Sequence, residues 1–224
     1  MRTRQLLVGL LTFSLVAGGC GETEEPETQV EALETIDLPL PNLAGEMSLE
    51  EALTSRRSTR EFTDEPLTMA ELSQLFWAAQ GETRPGRRTN PSAGALYPIE
   101  VYAVTKDGVY HYLPDGHRVE LLSTDDLRDR LFWASWRQEA VRDAPAVFVI
   151  CGVFSRTEAK YGGRAERYVK LEAGHIAQSL LLQAVALDLG GVPMGAFLDS
   201  QVQSSLDLPD DHEPLYLIPI GHPG

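Results

Sequence analysis

Hydrophobic and polar residues repeat with two different periods along the chain, and the periods predict a mixture of helices and strands. Apolar residues recur at helical spacing in several segments. These predicted helices span residues 49–55, 68–79, 125–141 and 167–189. Runs rich in β-branched and aromatic residues indicate strands instead. These predicted strands span residues 99–104, 108–112, 117–121, 146–152 and 215–220. Because helices and strands do not alternate strictly, the pattern predicts an α+β domain.

Two polar signals predict where the domain and its first helices begin. Ser48 is followed by Glu51, and Thr68 by Glu71, at the spacing of a capping box. In this motif each side chain bonds the backbone N–H of the other residue, so we expect helices to begin just after Ser48 and Thr68. The folded domain is therefore expected to span residues 47–224.

The segment 167–189 is the longest predicted helix and is apolar on nearly every side. Such a helix is buried on several faces and often lies at a dimer seam. We expect His175, within this helix, to be a core histidine. Gly190 and Gly191 are expected to end the helix.

Residues 1–19 have the composition of a signal peptide. Arg2 and Arg4 precede an apolar run at residues 6–16, which is too short to span a bilayer, and small residues precede Cys20. The arrangement resembles the lipobox of bacterial lipoproteins, although Ala17 stands where leucine is commoner. We therefore expect lipidation of Cys20 and a lipid-anchored protein in the bacterial cell envelope, outside the cytoplasm. A plain secretory signal peptide is the alternative.

Residues 20–46 are predicted to form an acidic, disordered tether. Seven acidic residues and no lysine or arginine lie between residues 20 and 37, so this segment repels itself and stays solvated. If Cys20 carries lipid, Cys151 has no disulfide partner, and we expect it to be a buried thiol in the strand 146–152. A disulfide between Cys20 and Cys151 is the alternative.

The charge of the chain excludes one class of partner. The formal net charge is −14, and nucleic-acid binding needs a basic face, so nucleic acid is not expected as a partner. The five histidines show no paired metal-ligand spacing, so no metal site is expected either.

Three short segments carry the residue types of a binding site. RRSTREF (56–62) gathers arginines whose planar groups suit phosphate, or else its positive charges complement the dipole of a helix end. NPSAG (90–94) is small enough for backbone N–H groups to approach a flat or anionic ligand, or else it is an ordinary tight turn. GGVPMGAF (190–197) offers backbone donors at Met194 and Gly195, or else it is a helix C-cap followed by a strand.

Lys160 and Tyr161 are adjacent in a polar segment before the long helix. A lysine beside a tyrosine can act as an acid/base pair if burial lowers the pKa of the lysine. Two exposed surface residues are the alternative.

Taken together, RRSTREF, PSAGALYP, the stretch from KYGGRAERY to GGVPMGAF, and the closing PIGHP resemble the nitroreductase-like flavoproteins. They are most similar to the branch of SagB-type, or thiazole/oxazole-forming, dehydrogenases. The resemblance covers about residues 47–224. It implies an α+β nitroreductase-like fold, with an antiparallel-rich mixed sheet flanked by helices. It also implies a homodimer with FMN at each subunit interface.

The resemblance also implies roles for particular residues. Contacts to the flavin phosphate, ribityl chain and pyrimidine edge would come from Arg56, Arg57, Ser58 and Arg60. The neighbouring subunit would contribute Ser92, Ala93 and Gly94. The flavin ring would be lined by Pro193, Met194 and Gly195. Lys160 and Tyr161 fall where azoline-oxidising members have a catalytic pair. The basic tail of the classical nitroreductases is replaced here by a short end with His222, which could substitute in part at the phosphate.

The expected function is therefore an FMN-dependent oxidoreductase that transfers a hydride to or from flavin and acts on a small-molecule or peptide substrate. NAD(P)H is scarce outside the cytoplasm, so substrate oxidation is favoured over NAD(P)H-driven nitroreduction. An NAD(P)H-dependent nitro- or quinone reductase is one alternative. A flavin-binding or interaction lipoprotein without catalysis is another.

Overall fold

The computed structural model describes residues 31–224, and a seven-stranded antiparallel sheet lies at its centre. The strands are β1 (Glu34–Asp37), β2 (Glu82–Arg84), β3 (Arg87–Arg88), β4 (Ile99–Thr105), β5 (Gly108–Leu113), β6 (Arg118–Ser123), β7 (Ala146–Gly152), β8 (Gly190–Gly191) and β9 (Glu213–Gly221). Their order across the sheet is β1-β6-β5-β4-β7-β9-β8, while β2 and β3 form a separate hairpin. The predicted signal peptide, Cys20 and residues 21–30 of the predicted tether lie outside the described residues.

Helices cover both faces of this sheet. They are α1 (Leu49–Ser55), α2 (Met69–Gln80), α3 (Arg128–Ala134), α4 (Glu139–Asp143), α5 (Phe154–Tyr161), α6 (Ala165–Ala186) and α7 (Asp199–Ser205). Both predicted capping boxes are present: Ser48 with Glu51 begins α1, and Thr68 with Glu71 begins α2. Among residues 31–224, no helix is both long and apolar enough to cross a bilayer.

The alternation of side chains along β4 divides the interior into two cores. Ile99 and Val101 point into the core that α2 and α6 cover. Tyr102 and Val104 point into the core on the opposite face, under α3, α4 and α7. This division is the expected result of a strand with two buried faces. The α+β fold predicted from the sequence is confirmed.

The predicted disordered tether is wrong for its last part. Residues 34–37 form β1, which pairs antiparallel with β6 and places Ile36 opposite Val119. Ile36 packs against the first core, and Leu38 is buried in it. The acidic residues of β1 point to solvent, so the composition of the segment does not reveal that it adds a strand to the sheet.

The predicted helix 125–141 is also wrong, because the chain breaks it into α3 and α4. Trp136 and Arg137 both adopt left-handed backbone conformations with φ of 60°. The Arg137 N–H then donates to the Phe132 carbonyl oxygen at 2.9 Å. The sequence has no glycine or proline at this break to signal it.

Helix α6 is buried along one stripe rather than on several faces. Val169, Glu172, Ala173 and Ile176 are among its buried residues, whereas Leu171 is 54% exposed. The prediction that His175 is a core residue is wrong, since it lies on the exposed side of the helix. Cys151 is fully buried in β7, as predicted, and has no disulfide partner within residues 31–224. The alternative partner, Cys20, lies outside the described residues.

Candidate functional site

Two of the three predicted binding segments lie side by side at one corner of the sheet. Ser58 forms a parallel bridge with Gly191, and the Thr59 N–H donates to the Gly191 carbonyl oxygen at 3.1 Å. A Cβ atom on Gly190 would lie 2.5 Å from the Thr59 hydroxyl oxygen. Glycine is therefore needed for the RRSTREF and GGVPMGAF segments to approach this closely.

The arginines of this corner have no acidic partner in the part of the chain that the structure describes. No carboxylate of residues 31–224 lies within ion-pair distance of Arg56, Arg57 or Arg60. Arg57, Ser58 and Arg60 are exposed, and Arg56 is half-buried at the C-terminal end of α1. Three unpaired guanidinium groups in a chain of net charge −14 suit an anionic group such as a phosphate.

The loop after β8 is held to the sheet at one residue and free at the next. The N–H and carbonyl of Met194 both bond Leu217, at 2.8 and 3.0 Å. The prediction that the Met194 N–H is free for a ligand is therefore wrong. Gly195 is exposed, and its Cβ direction has no atom within 4 Å. Among the described residues its N–H has no hydrogen-bond partner, so Gly195 remains the backbone donor of this loop.

His222 lies at the same corner. Gly221 pairs with Gly190, and the Thr63 N–H donates to the His222 carbonyl oxygen at 3.0 Å. The imidazole Nε2 is 3.8 Å from a carboxylate oxygen of Glu71, at the start of α2. His222 is thus near the arginine segment, but its ring faces an acid of the same chain.

The third segment lies against the predicted catalytic pair. A Cβ on Gly94 would lie 2.8 Å from Lys160 Nζ and 3.0 Å from the Tyr161 hydroxyl. Gly94 has a φ of 64°, which favours glycine in any case. Lys160 is exposed, whereas Tyr161 is half-buried and packs edge-on against Tyr168 at 4.9 Å.

The turn that contains Gly94 is conformationally strained. Ala95 and Tyr97 have φ of 55° and 48°, an uncommon conformation for residues with a side chain. Several bonds hold it: the Tyr97 N–H donates to Ser92 Oγ at 2.8 Å, and the Arg88 N–H donates to the Tyr97 hydroxyl at 3.2 Å. Backbone strain of this kind costs about 1–3 kcal/mol per residue and is often found at functional sites.

Within one chain these two corners are separate. The first contains residues 56–60, 190–195 and 222, and the second contains residues 92–94, 160 and 161. No hydrogen bond within residues 31–224 joins the first group to the second. We call the two corners half-sites, because the family resemblance implies that one flavin site draws on both.

Sequence reasoning missed one acid at the second corner. Glu172 of α6 is 3% exposed, and neither of its carboxylate oxygens has a hydrogen-bond partner among the described residues. Burial raises its pKa to about 7, and the nearby Ser92, Arg88 and Gln80 oppose this rise only in part. The side-chain oxygen of Gln80 is also buried without a partner. The sequence does contain a signal for this acid, because Glu172 occupies one of the positions that are otherwise apolar along the buried stripe of α6.

Comparison with known proteins agrees with this geometry. The sequence profile of the nitroreductase family matches residues 53–222. Protein MJ1384 of Methanocaldococcus jannaschii, assigned as a nitroreductase, is 39% identical over 195 residues, which cover 84% of this chain and 97% of MJ1384. A crystal structure from Ralstonia eutropha JMP134, also assigned as a nitroreductase, matches with a TM-score of 0.77 at 31% identity. That match covers 87% of this chain and 91% of the other.

A further relative points to one branch of the family. The microcin B17-processing protein McbC of Escherichia coli is 28% identical over 155 residues, which cover 63% of this chain and 57% of McbC. This chain thus matches little more than half of McbC, and the similarity supports the SagB-type branch predicted from the sequence. By its family profile, its relatives and its fold, the chain belongs to the nitroreductase family and is an oxidoreductase of that family.

Proposed function

We propose that the protein is an FMN-dependent oxidoreductase of the SagB type. The observation that carries the proposal is the bridge between Ser58 and Gly191. It brings together the two segments that the family resemblance assigns to flavin, one with unpaired arginines and one with an exposed backbone donor. These groups fit a flavin nucleotide, which has an anionic phosphate and a planar ring with hydrogen-bond acceptors.

In this proposal each group has a defined part. Arg56, Arg57 and Arg60 bind the phosphate through charge-assisted hydrogen bonds, and Ser58 adds a neutral donor. Gly195 presents its N–H to the ring edge, and the half-buried Pro193 provides apolar surface. The predicted contact from Met194 is not part of the proposal, because its side chain is buried in the second core. When bound, FMN supplies the two-electron hydride chemistry, and the protein supplies position and electrostatics.

A homodimer would complete the site. Ser92, Ala93 and Gly94 lie at the second corner, and in the proposed dimer they reach the flavin held by the other subunit. Leu49 and Leu53 of α1 and Leu171 of α6 are each more than half exposed. These leucines lie on neighbouring helices and supply an apolar surface of the kind that a dimer interface buries.

Proton transfer is assigned to Lys160 and Tyr161, which contact the Gly94 turn. When a substrate loses a hydride, one of these side chains, in its deprotonated form, takes the accompanying proton. Tyr161 lies deeper in this corner than Lys160, since it is half-buried and Lys160 is exposed. We propose substrate oxidation outside the cytoplasm by a protein anchored through lipid on Cys20. The relative McbC processes a microcin, which favours a peptide over a small molecule as substrate.

The cofactor is tested by the visible absorption spectrum of the purified protein, followed by heat release and identification of any yellow compound. We expect stoichiometric FMN on a dimer, and a loss of bound FMN in Arg57→Ala. Arg130→Ala is the matched control, because it removes the same charge from an exposed site on α3. A colourless protein that also fails to take up added FMN would refute the proposal.

The catalytic pair is tested by Tyr161→Phe. This variant keeps the ring packing but loses the hydroxyl, so it should retain FMN and lose substrate-dependent flavin reduction. Tyr168→Phe is the control, since it removes the hydroxyl of the neighbouring ring. Unchanged turnover in Tyr161→Phe would remove the tyrosine from the mechanism.

A second candidate is an NAD(P)H-dependent nitro- or quinone reductase. It is favoured by the 39% identity to MJ1384, which is assigned as a nitroreductase. Rapid bleaching of the flavin after anaerobic addition of NADH would support this candidate, and slow or absent bleaching would support substrate oxidation instead.

A further inference from the structure

A polar cleft lies on the sheet face that carries Tyr102, and it adjoins the second half-site through Arg156, which bonds the Tyr97 carbonyl oxygen. Its volume is about 680 Å³, within the usual range for small-molecule sites. The cleft is enclosed by β4, β5 and β6, by the start of α5, by the loop before β9, and by residues 31 and 32 of the N-terminal arm. None of the residues assigned above to flavin or to proton transfer lines it.

Strand register builds the floor of this cleft. Tyr102 of β4 is opposite His111 of β5, and His111 is opposite Glu120 of β6. Glu100 is two residues before Tyr102 and therefore points to the same face. The result is a row of polar side chains that runs across three strands.

The polar groups in the middle of this row bond other groups of the protein. Glu100 is 2.8 Å from His111 Nε2 and forms an ion pair with Arg156 of α5. Burial alone would raise the pKa of Glu100, but the hydrogen bond and charge of His111, with those of Arg156, outweigh it and lower the pKa to about 2. The Tyr102 hydroxyl is 2.6 Å from His212 Nδ1. These groups have little bonding capacity left for a ligand.

The two ends of the cleft, in contrast, have free groups of opposite charge. At the α5 end, Arg156 uses Nη1 for Glu100 and for the Tyr97 carbonyl. Its Nε and Nη2 have no partner among residues 31–224, and its side chain is 40% exposed. At the β6 end, Glu120 contacts His111 through one oxygen only, at 3.3 Å. Glu31 is exposed beside it.

The two ends lie on opposite sides of the His111 ring. The carboxylate of Glu100 contacts one ring nitrogen at 2.8 Å, and that of Glu120 contacts the other at 3.3 Å. Arg156 pairs with Glu100 at one end, and Glu31 lines the cleft with Glu120 at the other. A ligand that satisfies both ends must therefore carry an anionic group and a cationic group that are held apart by more than the width of this ring.

We propose that the cleft binds a short, extended peptide segment, with a carboxylate at Arg156 and an ammonium group at Glu120 and Glu31. A short extended peptide has this form, because its terminal ammonium and carboxylate groups are separated by about 3.3–3.6 Å per residue. Arg156 can donate two parallel bonds to a carboxylate, which gives direction as well as affinity. The cleft shares no residue with the proposed flavin site, although Arg156 bonds the Tyr97 carbonyl oxygen in the strained turn at the second corner.

The test is isothermal titration calorimetry of the full-length protein with the tripeptide Ala-Ala-Ala. The same peptide is also titrated in N-acetylated, C-amidated and doubly blocked forms. We expect saturable binding of the free tripeptide, weakened at least tenfold by either block. Equal binding of the doubly blocked form, or no saturable binding of the free form, would overturn the proposal.

Two variants test which end of the cleft binds the ammonium group of the peptide and which binds its carboxylate. Glu120→Gln should weaken the free tripeptide but leave the affinity of the acetylated form unchanged, because that form has no ammonium group to lose. Arg156→Gln should likewise weaken binding of the free tripeptide but leave the affinity of the amidated form unchanged, because that form has no carboxylate group. Glu166→Gln, an exposed α6 carboxylate outside the cleft, is the control and should bind like the natural protein. If Glu120→Gln weakens all four peptides equally, the charge assignment is wrong. Flavin content, read separately from absorbance, distinguishes failure of this proposal from failure of the proposed function.

Discussion

Replacement of Glu172 by glutamine should make the protein more stable, and the gain should depend on pH. In the folded chain the pKa of Glu172 is raised from 4.5 to about 7 because the carboxyl group is buried. Its oxygens have no hydrogen-bond partner among the described residues. A difference of about 2.5 pH units between the folded and unfolded chains corresponds to about 3 kcal/mol, at 1.36 kcal/mol per unit.

The sign of the effect follows from proton binding. Below pH 4.5 the carboxyl group is protonated in both states and has no pH-dependent effect on stability. Between pH 4.5 and about 7 the unfolded chain has lost the proton while the folded chain keeps it. The free energy of unfolding therefore falls as pH rises through this window and levels off above it. The glutamine in Glu172→Gln cannot ionise, so the free energy of unfolding of this variant does not fall in this way.

The assay is urea unfolding of the natural protein and of Glu172→Gln at several pH values from 4 to 8. Other acidic groups are common to both proteins, so their contributions cancel in the difference. Relative to pH 4, the variant should gain about 3 kcal/mol over the natural protein by pH 8. Glu158→Gln, an exposed carboxylate of α5, should show no such trend. A difference that stays constant with pH would refute the argument and would mean that Glu172 is paired.

Three further changes probe other parts of the structure. Glu100→Gln should lower the free energy of unfolding by about 3 kcal/mol at pH 7, because the pKa of Glu100 is lowered from 4.5 to about 2 in the folded chain. Urea unfolding should show that this deficit shrinks as the pH falls toward 2. A deficit that persists at low pH would contradict the prediction. Gly190→Ala should lower the free energy of unfolding by about 1–3 kcal/mol, because the added Cβ would overlap the side chain of Thr59. Urea unfolding measures this loss, and Gly163→Ala is the control, since a Cβ at Gly163 meets no atom within 4 Å. Equal stability of the two variants would refute the contact. In a Cys20→Ser protein, Cys151 should resist Ellman's reagent until the chain is denatured, because burial raises the pKa of its thiol; rapid labelling of the native protein would contradict this.

Local signals in the sequence predicted much of the fold. The strand predicted at residues 146–152 coincides with β7, and both capping boxes begin the helices expected of them. In each case the signal can be recognised within a short stretch of sequence. The strand β7 is apolar because it is buried on both faces, and a capping box closes within four residues.

The predictions that proved wrong have a different physical origin. β1 has one apolar residue in four and exists because β6 offers it a pairing edge, which the composition of residues 34–37 does not reveal. The break at Trp136 is stabilised partly from outside the predicted helix, because the Leu198 N–H donates to the Ala134 carbonyl oxygen and the Gln138 side chain donates to the Ala196 carbonyl oxygen, each at 2.9 Å. At the site, the sequence resemblance identified the segments but not their hydrogen bonds, so the Met194 N–H was predicted as free although Leu217 occupies it.

The short strand β1 also bears on the solubility of any shortened protein. The outer edge of the β4–β6 sheet carries a row of backbone donors and acceptors, and an uncovered edge of this kind pairs readily with another chain. β1 covers that edge with four residues, and Glu34 and Asp37 then face solvent and repel a further strand. A chain shortened to begin at Glu46 would keep both half-sites but lose this cover, and it would self-associate through β6. The four residues of β1 thus protect the β6 edge from pairing with another chain.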